Sequence, residues 1–149
     1  MSSSSTAQVA LVLDTNVISE PMRPRPEPHV IDFLREVSSR TFVTTVTLAE
    51  LFLGAHLLDP GRRKATLLAS VAAVRRAYRS ARRQPRVLEE YRAVAKLQHA
   101  GRAIAVADAY IAAICVTNDA TLVTRNVKDF ESYPGLRLVS PWDIVPPPP

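Results

Sequence analysis

The sequence predicts an α/β fold in which a parallel sheet carries helices on both faces. Two observations predict it. Short runs of apolar or β-branched residues, at Val9–Leu13, Thr41–Thr44, Ala120–Thr124 and Leu136–Val139, alternate with longer stretches of helical periodicity. That alternation marks βαβ units, whose strands run parallel. The first run, Val9-Ala10-Leu11-Val12-Leu13, holds no polar residue, as suits a strand covered on both sides. Right-handed crossovers then send helices to both faces.

Taken in order, residues 1–8 are Ser-rich and read as a frayed tail. Strand one, Val9–Leu13, ends at Asp14, and a short helical turn covers Thr15 to Glu20. Four prolines between Pro21 and Pro28 make a loop. His29–Val37 has Val30, Phe33, Leu34 and Val37 at helical spacing. Thr41–Thr44 is strand two. Val46–Leu58 is an apolar helix, broken by Asp59-Pro60-Gly61, and Arg62 to about Tyr78 is another. Ala77 to Arg86 reads either as a short strand or as a basic loop. Val87–His99 is a helix with Val94 and Ala95 turned inward, stopped at Gly101. Ile104–Val116 is an Ala- and Ile-rich helix. Ala120–Thr124 is a strand, Asn126–Phe130 a loop or single turn, and Leu136–Val139 the last strand. Pro146–Pro149 is a polyproline tail.

A chain of 149 residues with 47% hydrophobic residues is large enough for one domain with its own core. Its single cysteine, Cys115, lies in an apolar helical stretch and reads as a small buried hydrophobe. No stretch is long enough to span a membrane, and the start lacks the charged segment of a secretory signal. The expected location is the cytoplasm. Four glycines and no Gly-x-Gly-x-x-Gly or Walker-type loop argue against a nucleotide cofactor. The net charge of +5 is unevenly placed. Between Asp59 and Glu89 there is no acid, but there are nine bases: Arg62, Arg63, Lys64, Arg75, Arg76, Arg79, Arg82, Arg83 and Arg86. Such a block is either a solvated helix face or a seat for nucleic acid or another polyanion.

Three acids lie among apolar neighbours. Asp14 ends a strand, where open α/β sheets place their chemistry; alternatively it caps a short helix. Glu50 sits in Thr47-Leu48-Ala49-Glu50-Leu51 on the helix after strand two. Its spacing from Thr47 also fits a capping box. Asp108, in Val106-Ala107-Asp108-Ala109-Tyr110, has no base three or four residues away, although a place near a helix start would suit it. Together the three suggest one pocket. Clustered carboxylates repel, and a bound cation resolves the repulsion. With oxygen donors only, the metal should be Mg²⁺ or Mn²⁺. Carboxylate-held Mg²⁺ beside a basic surface points to phosphodiester chemistry. A fourth group, Thr124-Arg125-Asn126-Val127-Lys128-Asp129, places Thr124, Asn126 and Asp129 past another strand end, with a turn cap as the plain reading of Asp129.

The stretches LDTNVISE, TLAELFLGA, VADAYIAA and TLVTRNVKDF, in that order, closely resemble the PIN-domain ribonucleases. Within them the chain looks like the toxins of VapBC-type toxin–antitoxin modules, from about Val9 to Pro141. The resemblance implies a three-layer α/β/α sandwich around a parallel sheet. It implies one PIN-like domain with a core of about 9–145 and flexible tails at 1–8 and 146–149. It also implies a metal-dependent endoribonuclease that cleaves RNA with metal-activated water. Asp14, Glu50 and Asp108 match the family's acids as metal ligands and catalytic groups. Thr15, Asn16 and Thr124 match its supporting polar residues. Where many members carry Asp, this chain has Asn126, so either Asn126 or Asp129 completes the site, or three carboxylates suffice. Arg75, Arg76, Arg79, Arg82, Arg83 and Arg125 are the expected RNA contacts. The implied partners are RNA, a VapB-like antitoxin that masks the pocket, and a second copy in a homodimer, with no membrane involved.

Two other functions compete. A phosphoacceptor Asp would want a second acid beside the first, but Thr15 and Asn16 follow Asp14. A non-catalytic RNA-binding module explains the arginines and leaves Asp108 unexplained.

Overall fold

The apolar run after the Ser-rich start becomes strand β1, Leu11–Leu13, in a computed structural model that describes residues 8–80, 87–101 and 105–144. The chain continues through α1, Thr15–Ser19, and a 3₁₀ turn, Glu20–Met22. Then follow α2, Pro28–Val37, and β2, Thr41–Val43. Two helices come next, α3, Thr45–His56, and α4, Arg62–Ala77, leading to β3, Arg79–Ser80. The remainder is α5, Val87–His99; α6, Val106–Thr117; β4, Thr121–Val123; α7, Val127–Phe130; and β5, Arg137–Val139. The strands pair in the order β3-β2-β1-β4-β5, and every pair is parallel.

Successive strand residues face opposite ways, and the core divides accordingly. Leu11, Leu13, Val43 and Val123 pack with Val17, Ile18, Val30, Leu34, Leu51, Val71 and Val74 of α1–α4. Val12 and Leu122 pack with Val94, Ile111, Ala112, Cys115 and Phe130 of α5–α7. This is the expected three-layer α/β/α sandwich. Cys115 is fully buried, and burial first, then the charge of Asp14, pushes its thiol up to about 12, so it is inert.

The expected elements are present, with shifted ends. β1 starts at Leu11, because Val9 is exposed. The Ala77–Arg86 question resolves in part: Arg79–Ser80 pair with Phe42–Val43 as an edge strand. Arg82, Arg83 and both expected flexible tails, apart from Gln8, lie outside the described residues. Ala95 is exposed, whereas Val94 beside it is buried. α5 ends as read, with Gly101 at φ +66°, a left-handed conformation that glycine adopts without cost.

Candidate active site

Parallel strands present all their carboxyl ends at one edge, where β1 is the middle strand and β4 lies beside it. Asp14 follows β1. Its amide donates to the Val123 carbonyl at 2.9 Å, so the backbone is still held by β4. The side chain is 6% exposed and accepts from three neutral donors. Oδ1 accepts from the Thr15 amide at 2.8 Å. Oδ2 accepts from Thr124 Oγ1 at 2.8 Å and from Asn16 Nδ2 at 3.4 Å. Asp14 is therefore both the cap of α1 and a member of the acid cluster. The two readings of this residue were not exclusive.

Thr124 is fully buried, and its hydroxyl has a forced direction. Oγ1 accepts from the Asn126 amide at 3.1 Å, so its proton is free for Asp14. Asn16 ties the same two loops together, because its Oδ1 accepts from the Arg125 amide at 3.1 Å. Thr15 extends the network in the other direction, donating from Oγ1 to Glu50 Oε2 at 2.8 Å.

The capping-box reading of Glu50 does not hold. The cap of α3 is Thr44, whose Oγ1 accepts from the Thr47 amide at 3.0 Å. Thr47 is itself buried and takes a hydrogen bond from Thr44 Oγ1. Glu50 lies in the body of the helix, half-buried, and its recorded partner is Thr15.

Asp108 does sit in the first turn of α6, where the helix dipole favours a carboxylate. It makes no hydrogen bond among the described residues. Burial pushes its carboxyl up to about 6, assisted by the charges of Asp14, Glu50 and Asp129. Burial is the larger cause, and the three neighbouring acids, from α1's cap, α3 and α7, add to it. Asn126 contributes through its backbone, while its side chain is exposed. The third negative charge felt at Asp108, after Asp14 and Glu50, belongs to Asp129, in the first turn of α7.

The donor set is oxygen only. Among the described residues no group of three His, Cys, Asp or Glu side chains is placed to hold a metal ion. Mg²⁺ asks for fewer, since it usually keeps several waters and takes one or two protein carboxylates.

The basic residues divide by position. Arg75 and Arg76 lie in the last turn of α4, which leads into β3, the outer strand beyond β2. Arg79 opens β3 and pairs with Phe42. The start of α4 is close to Glu50. Arg63 lines a cavity of about 470 Å³ with Arg23, Thr15 and Glu50, floored by Leu51, Leu67 and Val71. Neither Arg23 nor Arg63 stood out in the sequence as a site residue. Arg125 is at the acids, one residue past Thr124, with its guanidinium 5.1 Å from the centre of the Trp142 ring. Glu20, 1% exposed, was also unforeseen. Burial disfavours its charge, but the Glu27 amide at 2.9 Å and Arg23 at 3.2 Å outweigh that, with help from Arg125, and lower its pKa.

Comparison with known proteins agrees with this architecture. The PIN domain family model matches residues 11–136. Plasmid stability protein StbB of Pseudomonas syringae pv. tomato is 37% identical over 138 residues, covering 89% of this chain and 99% of that protein. VapC ribonuclease Y4jK of Sinorhizobium fredii is 30% identical, over 89% of this chain and 98% of its own length. The crystal structure of FitAcB from Neisseria gonorrhoeae superposes with a TM-score of 0.76 at 29% identity, covering 90% of this chain and 99% of that one.

Proposed function

The chain belongs to the PIN-domain family, and from that premise we propose that it is a metal-dependent endoribonuclease, the toxin of a VapBC-type toxin–antitoxin module. The observation that carries the reading is the convergence of acids at the carboxyl ends of the strands: Asp14 is bonded to Thr15 and Thr124, Thr15 joins it to Glu50, and Asp108 lies close enough to feel both charges. A purely structural cluster has no reason to keep an unbonded carboxyl among three like charges. The likeness to a protein named VapC ribonuclease supports the same chemistry.

Asp14, Glu50 and Asp108 would hold Mg²⁺ or Mn²⁺. When bound, such an ion activates water and offsets charge on a phosphoryl oxygen. The chain's own residues do the positioning. Thr124, Asn16 and the Thr15 amide fix both oxygens of Asp14. Thr15 sets the rotamer of Glu50. Asn126 holds the Thr124 hydroxyl in its donating direction, and Asp129 supplies the remaining negative wall. Arg125 and Arg63 would meet flanking phosphates, contacts that orient a strand without reading its sequence. Arg75, Arg76 and Arg79, around the end of α4 and the start of β3, would extend that basic surface.

The partners in this reading are RNA, a VapB-like antitoxin covering the acids, and a second copy in a homodimer. No described helix is long and apolar enough to cross a membrane, and the proposed place of action is the cytoplasm. A phosphoacceptor role for Asp14 is disfavoured, because that carboxylate is buried and both its oxygens are engaged. The test is cleavage of total RNA by the purified chain, with mapping of the new ends. Cleavage should need Mg²⁺ or Mn²⁺, stop in EDTA, and vanish in Asp14→Asn and Asp108→Asn variants of native circular dichroism. Full activity in both variants would refute the site.

A further inference from the structure

Arg125 is joined to the acid cluster by its backbone, and its side chain meets Trp142. Arg125 follows Thr124, and its amide is fastened to Asn16 at 3.1 Å. Trp142 comes just past β5, the strand next to β4. Its ring is packed against the core on the α1–α4 face. Its Nε1 is buried with no hydrogen-bond partner among the described residues. An indole that forgoes its hydrogen bond is retained for its rings, and the Arg125 guanidinium lies over them at 5.1 Å.

An arginine with a carboxylate in reach ordinarily pairs with it. The carboxylate that feels Arg125 is Glu20, which is already bonded to Arg23 and the Glu27 amide. Arg23, Arg35 and Arg137 are each paired with an acid. Arg125 is in no ion pair among the described residues and is exposed. The aromatic face supplies an attraction that seats the cation without an ion pair. A guanidinium lying over a ring keeps its edge donors available, and those donors match a phosphate in pairs. Because the side chain is already held, little rotamer entropy is lost when a ligand arrives.

We propose that Trp142 is a positioning residue that holds Arg125 at the rim of the acid cluster as a docking point for a phosphate of single-stranded RNA. The proposal rests on the ribonuclease reading above. The phosphate seat offsets the repulsion an RNA strand meets as it approaches Asp14, Glu50 and Asp108.

Trp142 is the chain's single tryptophan, so its emission reports on this corner alone. A short single-stranded RNA of mixed sequence is titrated into the full chain in EDTA, and labelled RNA is used for the variants. Wild-type emission should change saturably. Arg125→Ala should bind roughly five- to tenfold more weakly, with the slope of log K against log salt shallower by about 0.7, one phosphate on a single strand. Trp142→Phe keeps a ring and should keep the wild-type slope. Trp142→Leu fills the apolar space without a π face and should match Arg125→Ala, and the double variant should lose no more than either single one. An unchanged slope in Arg125→Ala, or additive losses in the double variant, overturns the proposal. Should Trp142→Leu fail to fold, the Arg125→Ala slope still decides. If the wild type cuts RNA while Arg125→Ala binds normally, only this inference fails. If the wild type cuts no RNA with Mg²⁺ present, the ribonuclease reading has failed instead.

Discussion

Replacing Asp108 by Asn should make the metal-free protein more stable. Lifting a carboxyl from 3.8 to about 6 corresponds to a ceiling of about 3 kcal/mol of desolvation and repulsion when the group is ionised. Asp108 is only half-buried, so solvent screening reduces this to roughly 1–2 kcal/mol. Asn loses the favourable dipole interaction at the start of α6, about 0.3–1 kcal/mol. The net gain is about 1 kcal/mol, or about 3 °C in Tm for a chain of this size. The pH dependence is specific. The folded state holds the Asp108 proton more tightly than the unfolded chain does. Stability from this group is therefore full below pH 3.8 and lost as pH rises through about 6. The advantage of Asp108→Asn should be present at pH 8 and absent near pH 4. Thermal unfolding in EDTA, followed by circular dichroism, measures both. Adding Mn²⁺ should raise the wild-type Tm and leave the variant unmoved. A variant less stable than wild type at pH 8, or a gain that persists at pH 4, would show that Asp108 is not under strain from its neighbours.

Three further outcomes follow from other residues. Thr124→Val removes the donor to Asp14 Oδ2 and strands the Asn126 amide; urea denaturation should show a loss of about 1–3 kcal/mol, and cleavage should fall with it. Thr44→Ala removes the cap of α3 and should cost about 1 kcal/mol while the Thr15–Glu50 bond, and hence cleavage, persists. Glu20→Gln should destabilise at neutral pH, with the opposite pH trend to Asp108. The lowered pKa of Glu20 gives stability that is present above 4.5 and lost as pH falls below it, so wild type and variant should converge in acid in a Tm-versus-pH series.

Much of the architecture was legible because buried parallel strands and amphipathic helices leave different spacings in the sequence. Strand ends were less so, since a three-residue strand such as Leu11–Leu13 is shorter than the apolar run that contains it. Thr44 and Thr47 are both hydroxyl residues at plausible cap positions, and only the hydrogen bond to the Thr47 amide separates them. The arginine block illustrates a limit of composition. Charge density marked α4, but only the coordinates tell that Arg63, at its start, shares a cavity with Thr15 and Glu50. Asp129 and Asn126 were both named, and the division of labour between them, charge from one and backbone from the other, needed coordinates. Trp142 meets Arg125 across a turn, α7 and β5, and no local pattern signals that pairing.

The acid cluster draws on positions 14, 50, 108 and 129, and its most buried bond joins Asp14 to Thr124 across 110 residues of chain. β1 lies between β2 and β4 in the sheet, so Asp14 cannot acquire its finished surroundings until β4 has been made and laid alongside. During synthesis the first acid leaves the ribosome long before its partners exist. For a protein proposed to cut RNA, this order means that the surroundings of its first acid are completed only after β4 has been laid beside β1.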